Sequence, residues 1–401
     1  MKNIDKNLPI SSFTYSLPEA RIAHFPLEKR DDSKLLVYEK GKISVQQFSQ
    51  LADQIPGNSL LVLNKTRVIE ARIHFQKESG AFIEIFCLEP WQKSQEASMQ
   101  DQGKAVWKCL IGGASKWKHH QVLSKKLSQD TLLEARFVAK DEDAFLIEFS
   151  WNPSHIPFVN ILHEAGSIPL PPYIKRKAEF LDEERYQTIF ASAKGSVAAP
   201  TAALHFTPKV FHALNEKNIQ SQYVTLHVGA GTFKPVKTET IADHSMHGEP
   251  FSVERKTIEA LLNAEKIVTV GTTSLRTIES IYWLGLKLEQ QLSIDELNQW
   301  ECYELAEDFE LISKEKSLKN ILSWMDAQQT EHIYCRTSLI IIPGYEFQMV
   351  NGLVTNFHQP QSTLLLLVAA FIGDDWKQVY EYAMENDFRF LSYGDSSLLF
   401  R

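Results

Sequence analysis

Residues 266–284, KIVTVGTTSLRTIESIYWL, constrain the fold more than any other stretch. A β-branched apolar run meets Gly271, and Thr272, Thr273 and Ser274 then open an apolar-periodic segment. β-branched side chains favour a pleated strand, and Thr and Ser cap helix starts, so the stretch predicts buried strand, tight turn and helix. That unit belongs to an α/β sheet with crossover connections. A helix start offers free N–H groups and the positive end of a dipole, which suits a carboxylate. The Walker lysine and the G-x-G-x-x-G pattern are missing, so neither a nucleoside triphosphate nor a dinucleotide is indicated. Simple capping is the alternative reading.

The rest of the chain frames this unit. Its 401 residues predict two to three domains at about 150 residues each. A hydrophobic share of 44% supports a sizeable core, and the net charge of −8 confines any nucleic-acid site to a local basic patch. Four cysteines, widely spaced and without a C-x-x-C, argue against a disulfide framework and a zinc site and fit a reducing cytoplasm. The N-terminus shows no signal-peptide pattern. The longest apolar runs, LIIIP and LLLLVAAFI, fall short of the about 20 residues that span a bilayer, so no membrane association is expected.

Taken in order, Pro18 is expected to open a short helix that Pro26 ends, before a strand KLLVY; Arg30 in the mixed-charge run EKRDD faces either solvent or an anion. SLLVLNKTRVI predicts a strand ending at Asn64, with Arg67 as a phosphate contact or a surface ion pair. From 72 to 150 the texture turns β-rich, predicting a small β-barrel or sandwich inserted in a larger α/β domain of residues 1–71 and 151–401. Within it, 91–104 reads as a flexible hairpin loop and KWKHH as an exposed tip or a nucleic-acid contact. FVNILHEAG predicts a helix with a glycine stop, IPLPPYIKR an extended segment bearing Lys175, Arg176 and Lys177, and DEERYQTIFA a helix start. In IADHSMHGE, His244, His247 and Glu249 invite a metal reading, but H-x-x-H-x-E lacks the spacing that sets two histidines on one helical face, and positioning, acid/base work or packing are the other readings. Residues 285–332 read as peripheral helices, SLIIIPGYEF as a strand with a Pro-Gly turn, and TLLLLVAAFI as a buried helix capped by Ser362 and Thr363.

The stretch 195–235 holds two runs of small residues, SVAAPTAALHFT ending near His205 and VTLHVGAGTF containing His227, joined by a short helix TPKVFHALNEKNI. Small residues let a backbone approach a ligand closely, and histidine transfers protons near neutral pH, so the two runs are read as active-site walls.

GSVAAPTAALHFT, LHVGAGTFKPV, HSMHGE, VGTTSLRTIES, PGYEF, TNFHQPQSTLLLLVAAF and RFLSYGD, with PPYIKR…DEERYQTIFA and LVLNKTRVI upstream, closely resemble the S-adenosylmethionine:tRNA ribosyltransferase-isomerase family over nearly the whole chain. The resemblance implies a large discontinuous α/β domain with a small inserted β-barrel. It also implies transfer and isomerisation of the ribosyl part of S-adenosylmethionine onto 7-aminomethyl-7-deazaguanine at the tRNA wobble position, giving epoxyqueuosine and releasing adenine and methionine. On it, His205, His227 and His247 are expected to be catalytic. Ala199, Thr201, Gly229, Gly231, Thr272, Thr273, Arg276 and His358 are expected to bind S-adenosylmethionine, and Arg67, Lys175 and Arg176 tRNA. No metal and no further cofactor are expected, because S-adenosylmethionine is itself the ribosyl donor; the compartment expected from the cysteines is the cytoplasm, and a monomer is the default expectation. The chain departs from the family pattern at Lys65, Ser338, Asn351 and Gln361; a catalytically impaired paralogue that binds S-adenosylmethionine or tRNA is the alternative reading.

Overall fold

The computed structural model describes residues 4–118, 120–128, 130–141, 144–229, 236 and 238–401. A ten-stranded mixed sheet forms its backbone. Four neighbouring strands run parallel at its centre, in the order Gln220–Leu226, Leu60–Asn64, Ile267–Val270 and Gly352–Asn356. Antiparallel Glu249–Glu254 and His332–Thr337 extend one side, and Ser396–Phe400, Lys34–Glu39 and Lys42–Gln47 the other. Because the central strands are parallel, their carboxyl ends share one edge, where open α/β sheets place ligands. Asn64, His227, Gly271 and Asn356 all lie at or just past that edge.

The opening unit forms as its residues dictate. Ile267–Val270 is wholly buried, Gly271 turns at φ +85°, and the helix Thr272–Glu289 follows, buried through Lys287. Glu279, inside it, accepts hydrogen bonds from Tyr345 Oη (2.9 Å) and from the backbone N–H groups of Gln348, Met349 and Val350 (3.0 Å each). Burial raises its carboxyl pKa above the ordinary range. The buried helix Thr363–Ile372 is capped by the Ser362 hydroxyl, as read.

Residues 72–152, with Gly166–Ser167 at one end, build a separate seven-stranded antiparallel sheet. It has its own core around Trp107, Phe149, Trp151 and Phe158. Among the described residues its hydrogen-bonded ladders run from Gly166–Ser167 to Leu123–Lys126, and Arg72–Gln76 near one end also packs against Leu123–Lys126 at the other. The pairing sets Cys87 opposite Cys109 across two strands, although they lie far apart in sequence; both are free thiols.

Several readings need correction. The helix expected after Pro18 is one 3₁₀ turn, Glu19–Arg21. SLIIIP is buried but joins no ladder, because the strand precedes it at His332–Thr337; Ile342 donates instead to Tyr303 Oη (3.2 Å). Trp117 is buried and donates to the Gln121 carbonyl (2.9 Å), so it is not an exposed stacking ring. Segment 91–104 is not an open loop: Gln95–Met99 forms a helical turn capped by Ser94. Among the described residues no helix is long and apolar enough to cross a membrane.

Candidate active site

Asn64 terminates its strand at the ligand-bearing edge. Its side chain donates to the Leu226 carbonyl (2.9 Å) and accepts from the N–H groups of Leu226 (3.1 Å) and Thr66 (3.1 Å). The next residue on the neighbouring strand, His227, thereby has a fixed backbone and is only 7% exposed. Its Nδ1 lies 3.1 Å from Thr66 Oγ1 and its Nε2 3.2 Å from Glu96 Oε1. Glu96 sits on the short helix of the smaller sheet, and the histidine contact holds its carboxyl below the ordinary range. Gln95, beside it, donates to the Gly195 carbonyl (2.6 Å). Gly195 is required here: at φ +142° a Cβ would meet Gln95 Cγ at 2.3 Å and His227 Cε1 at 3.1 Å.

These contacts form one wall of a cavity of about 490 Å³ between the two sheets. His247, Gly229, Glu249, Tyr334 and Arg336 line the other walls. Arg336 Nη2 reaches Glu89 of the smaller sheet (3.4 Å), a second tie across the cavity. Glu249 is buried; it accepts from the Gly229 N–H (3.2 Å) and pairs with Arg276 Nη1 (2.5 Å). Arg276 also donates to the Leu339 carbonyl (2.9 Å), and among the described residues its buried Nη2 has no partner. Arg276 therefore stands behind the cavity, joining the long helix to the glycine-bearing wall. Gly231, expected beside Gly229, lies outside the described residues.

A second, smaller cavity of about 70 Å³ shares Val228 with the first. Ala199, Thr201, Thr272, Thr273, Asn356 and His358 line it. Thr201 Oγ1 donates to Asn356 Oδ1 (2.8 Å). Among the described residues Thr273 Oγ1 and Asn356 Nδ2 are buried without partners, so the helix start and the neighbouring strand end keep polar groups unspent. His358 Nε2 lies 2.8 Å from Thr355 Oγ1, and burial depresses its pKa to about 3, keeping the ring neutral.

The remaining expected residues lie elsewhere. His205 is buried apart from both cavities, against Ser33 and Arg30. Lys175 is exposed and pairs with Glu19 (2.8 Å). Arg176 grips Asp182 through two hydrogen bonds (2.6 and 2.8 Å), a structural pairing. Arg67 is exposed on the two-stranded ladder formed with Ala193–Ser196. Among the described residues no three His, Cys, Asp or Glu side chains converge as metal ligands, and Glu249 is engaged by Arg276. The departures have internal partners: Lys65 pairs with Glu254, and Asn351 accepts from the Ile267 N–H (2.9 Å). Ser338 reaches the Leu297 carbonyl (3.5 Å), and Gln361 turns at φ +55°.

Glu96 and Gln95 escaped the sequence reading; Ser94 with an acid in the following turn was the signal for a capped helix start. Glu249 is weighed in the sequence as a metal ligand against positioning, acid/base work or packing, and its pairing with Arg276 is not anticipated.

A histidine held between a hydroxyl and a carboxylate, in a cavity at the carboxyl ends of parallel strands, marks an α/β enzyme equipped for proton transfer. Residues 10–399 match the family described as queuosine biosynthesis protein. The chain is 34% identical to the S-adenosylmethionine:tRNA ribosyltransferase-isomerase of Trichlorobacter lovleyi, covering 97% of this chain and 99% of that protein. It is 36% identical to the protein so named in Thermotoga petrophila (98% and 100% covered) and 35% to that of Legionella pneumophila (96% and 98%). A crystal structure of S-adenosylmethionine tRNA ribosyltransferase from Thermotoga maritima is 28% identical, with a TM-score of 0.46 over 97% of this chain and 100% of that one. The chain belongs to the S-adenosylmethionine:tRNA ribosyltransferase-isomerase family of queuosine biosynthesis enzymes.

Proposed function

We propose that this enzyme transfers and isomerises the ribosyl moiety of S-adenosylmethionine onto 7-aminomethyl-7-deazaguanine at the tRNA wobble position, yielding epoxyqueuosine in tRNA, adenine and methionine. The observation that carries the reading is His227, fixed between Thr66 and Glu96 on the wall of the larger cavity. The reaction needs a base for the proton beside the sulfonium and an acid that helps adenine leave. Among the described residues His227 and His247 are the imidazoles that line that cavity, and they take these roles. Gly229 and Ala199 let the backbone approach the nucleoside, and Tyr334 offers an exposed ring for a base to stack on. The methionine carboxylate sits at the start of the long helix, where Thr272 and Thr273 supply N–H and hydroxyl donors beside Thr201 and His358. Arg276 supports this arrangement through Glu249. Arg67 and Lys175 supply exposed positive charge for tRNA, and Arg176 shapes the segment between them.

On this reading S-adenosylmethionine is the donor and no other cofactor or metal takes part. Residues 1–71 and 151–401 form the catalytic unit, residues 72–150 the inserted one, and the enzyme works as a cytoplasmic monomer. The test is adenine release from S-adenosylmethionine with precursor tRNA. His227→Ala is expected to lose on the order of 10²–10⁴-fold in rate. Full turnover by His227→Ala would remove the assignment. Binding of both substrates without adenine release by the unaltered chain would favour the impaired-paralogue reading.

A further inference from the structure

Three residues of the segment Ala193–Ser196 fix the surroundings of His227. The Ala193 carbonyl accepts from Thr66 Oγ1 (3.4 Å), the hydroxyl that lies 3.1 Å from His227 Nδ1. Ser196 Oγ accepts from the Val228 N–H (3.0 Å), one residue past the histidine. Between them Gly195 backs the ring itself, since a Cβ placed on it would stand 3.1 Å from His227 Cε1. The ladder with Thr66–Val68 slips by one residue here. It pairs Lys194 with Arg67 and Ser196 with Val68, so Gly195 has no counterpart across it. A bulge of this kind re-aims the chain toward a partner outside the ladder.

That partner is Gln95. Its side chain is buried, and its Nε2 lies 2.6 Å from the Gly195 carbonyl. A carbonyl oxygen only accepts, so the amide nitrogen is the group assigned to it. The two residues are close-packed as well as bonded: the Cβ that Gly195 lacks would meet Gln95 Cγ at 2.3 Å. Gln95 opens the helical turn Gln95–Met99, and the next residue is Glu96, whose Oε1 lies 3.2 Å from His227 Nε2. A five-residue helix does not hold its own position, and the Glu96 side chain is mostly exposed. Met99 packs the turn into the core of the smaller sheet. Gln95 ties the same turn to the wall that carries the histidine.

We propose that Gln95 is a positioning residue for the ribosyl transfer. By docking the helical turn on the Gly195 carbonyl, it sets two things at once. One is the backing of the His227 ring, and the other is the carboxylate that orients Nε2. The smaller sheet is then part of the proton-transfer machinery, not a neighbour to it. The inference rests on the role given to His227 above, and adds a residue that acts through Gly195 and Glu96.

The test is a double-mutant cycle on adenine release from S-adenosylmethionine with precursor tRNA, each rate divided by the fraction of protein that binds S-adenosylmethionine. Gln95→Met keeps the side-chain length and removes the donor. Gln95→Glu keeps the shape and sets an acceptor against the carbonyl. Each is expected to lower kcat on the order of tenfold, with KM for S-adenosylmethionine within about twofold of the wild type. Adding Glu96→Ala to Gln95→Met should lower kcat by no more than about twofold further, because the first change already frees the carboxylate. The imidazole Cε1–H resonance of His227, identified by its loss in His227→Ala, should move in both Gln95 variants. Wild-type kcat in Gln95→Met, or an unmoved resonance, would overturn the inference while leaving the proposed function intact. So would independent effects of Gln95→Met and Glu96→Ala that multiply to about a hundredfold. A loss carried wholly by KM would assign Gln95 to substrate binding and overturn the positioning role. No adenine release by the wild-type chain, or full turnover by His227→Ala, would instead sink the proposed function.

Discussion

Glu96 Oε1 lies 3.2 Å from His227 Nε2, and the two residues reach the cavity from elements packed on different sheets. The carboxylate comes from a short helix of the smaller sheet, and the imidazole follows a central strand of the larger one. Glu96 is 61% exposed at its side chain, so its contribution is orientation of the ring more than burial of a charge. Glu96→Ala is therefore expected to lower the rate of adenine release on the order of tenfold while leaving the fold intact. Glu96→Gln should retain more activity, since the amide oxygen still accepts from the ring. Equal rates for Glu96→Ala and the wild type would mean that the contact positions nothing.

The buried pair behind the cavity has a different consequence. Arg276→Met leaves Glu249 inside the protein without its guanidinium, which is expected to cost about 3–5 kcal/mol in urea unfolding. Replacing both residues with apolar side chains should cost less than the sum of the single changes, because the two side chains share one contact that either change removes.

Glu279 takes four hydrogen bonds, two on each oxygen. In Glu279→Gln one oxygen becomes an NH₂ group that faces donors, with an expected loss of about 3 kcal/mol. The sign of the pH dependence follows from the raised carboxyl pKa. The native state holds the proton more tightly than the unfolded chain. The advantage of the wild type over Glu279→Gln is thus fullest below the unfolded pKa of about 4.3 and narrows as pH rises through the folded value. Equilibrium unfolding of both proteins between acid and neutral pH checks this.

His205 titrates in the opposite sense. Its pKa falls from 6.5 to about 4, so between those values the unfolded chain binds the proton and the native state does not. The linked stability is complete above pH 6.5 and is lost as pH falls toward 4, on the order of 3 kcal/mol in all. His205→Phe should remove that slope. An unchanged slope in the variant would exclude His205 as its source.

The parts of the fold that were legible in sequence are those where local chemistry and tertiary demand agree. Ile267–Val270, Gly271 and the Thr-Thr-Ser helix start are one case, and the Ser362-capped apolar helix is another. SLIIIP misled because burial alone does not make a strand; its backbone partners are a tyrosine hydroxyl and loop carbonyls. The site was half legible. His227, His247 and Gly229 share a cavity, and Thr272, Thr273, Thr201 and His358 share its neighbour. Glu96 was hidden in a polar segment whose five-residue helix is too short for periodicity to register. No pattern of spacing separates His205 from His227; only the sheet does, by ending their two segments at different walls.

Asn64 ties chain assembly to chemistry. Its amide stands in for rungs of the ladder, satisfying both backbone groups of Leu226 and the N–H of Thr66. A one-residue slip between Leu60–Asn64 and Gln220–Leu226 would strand those three hydrogen bonds in a dry interior, and the same slip would swing His227 to the opposite face. Misregistered chains are therefore eliminated by their own instability before they display a catalytic imidazole in the wrong place. The strand pairing acts as a proofreading step for the active site.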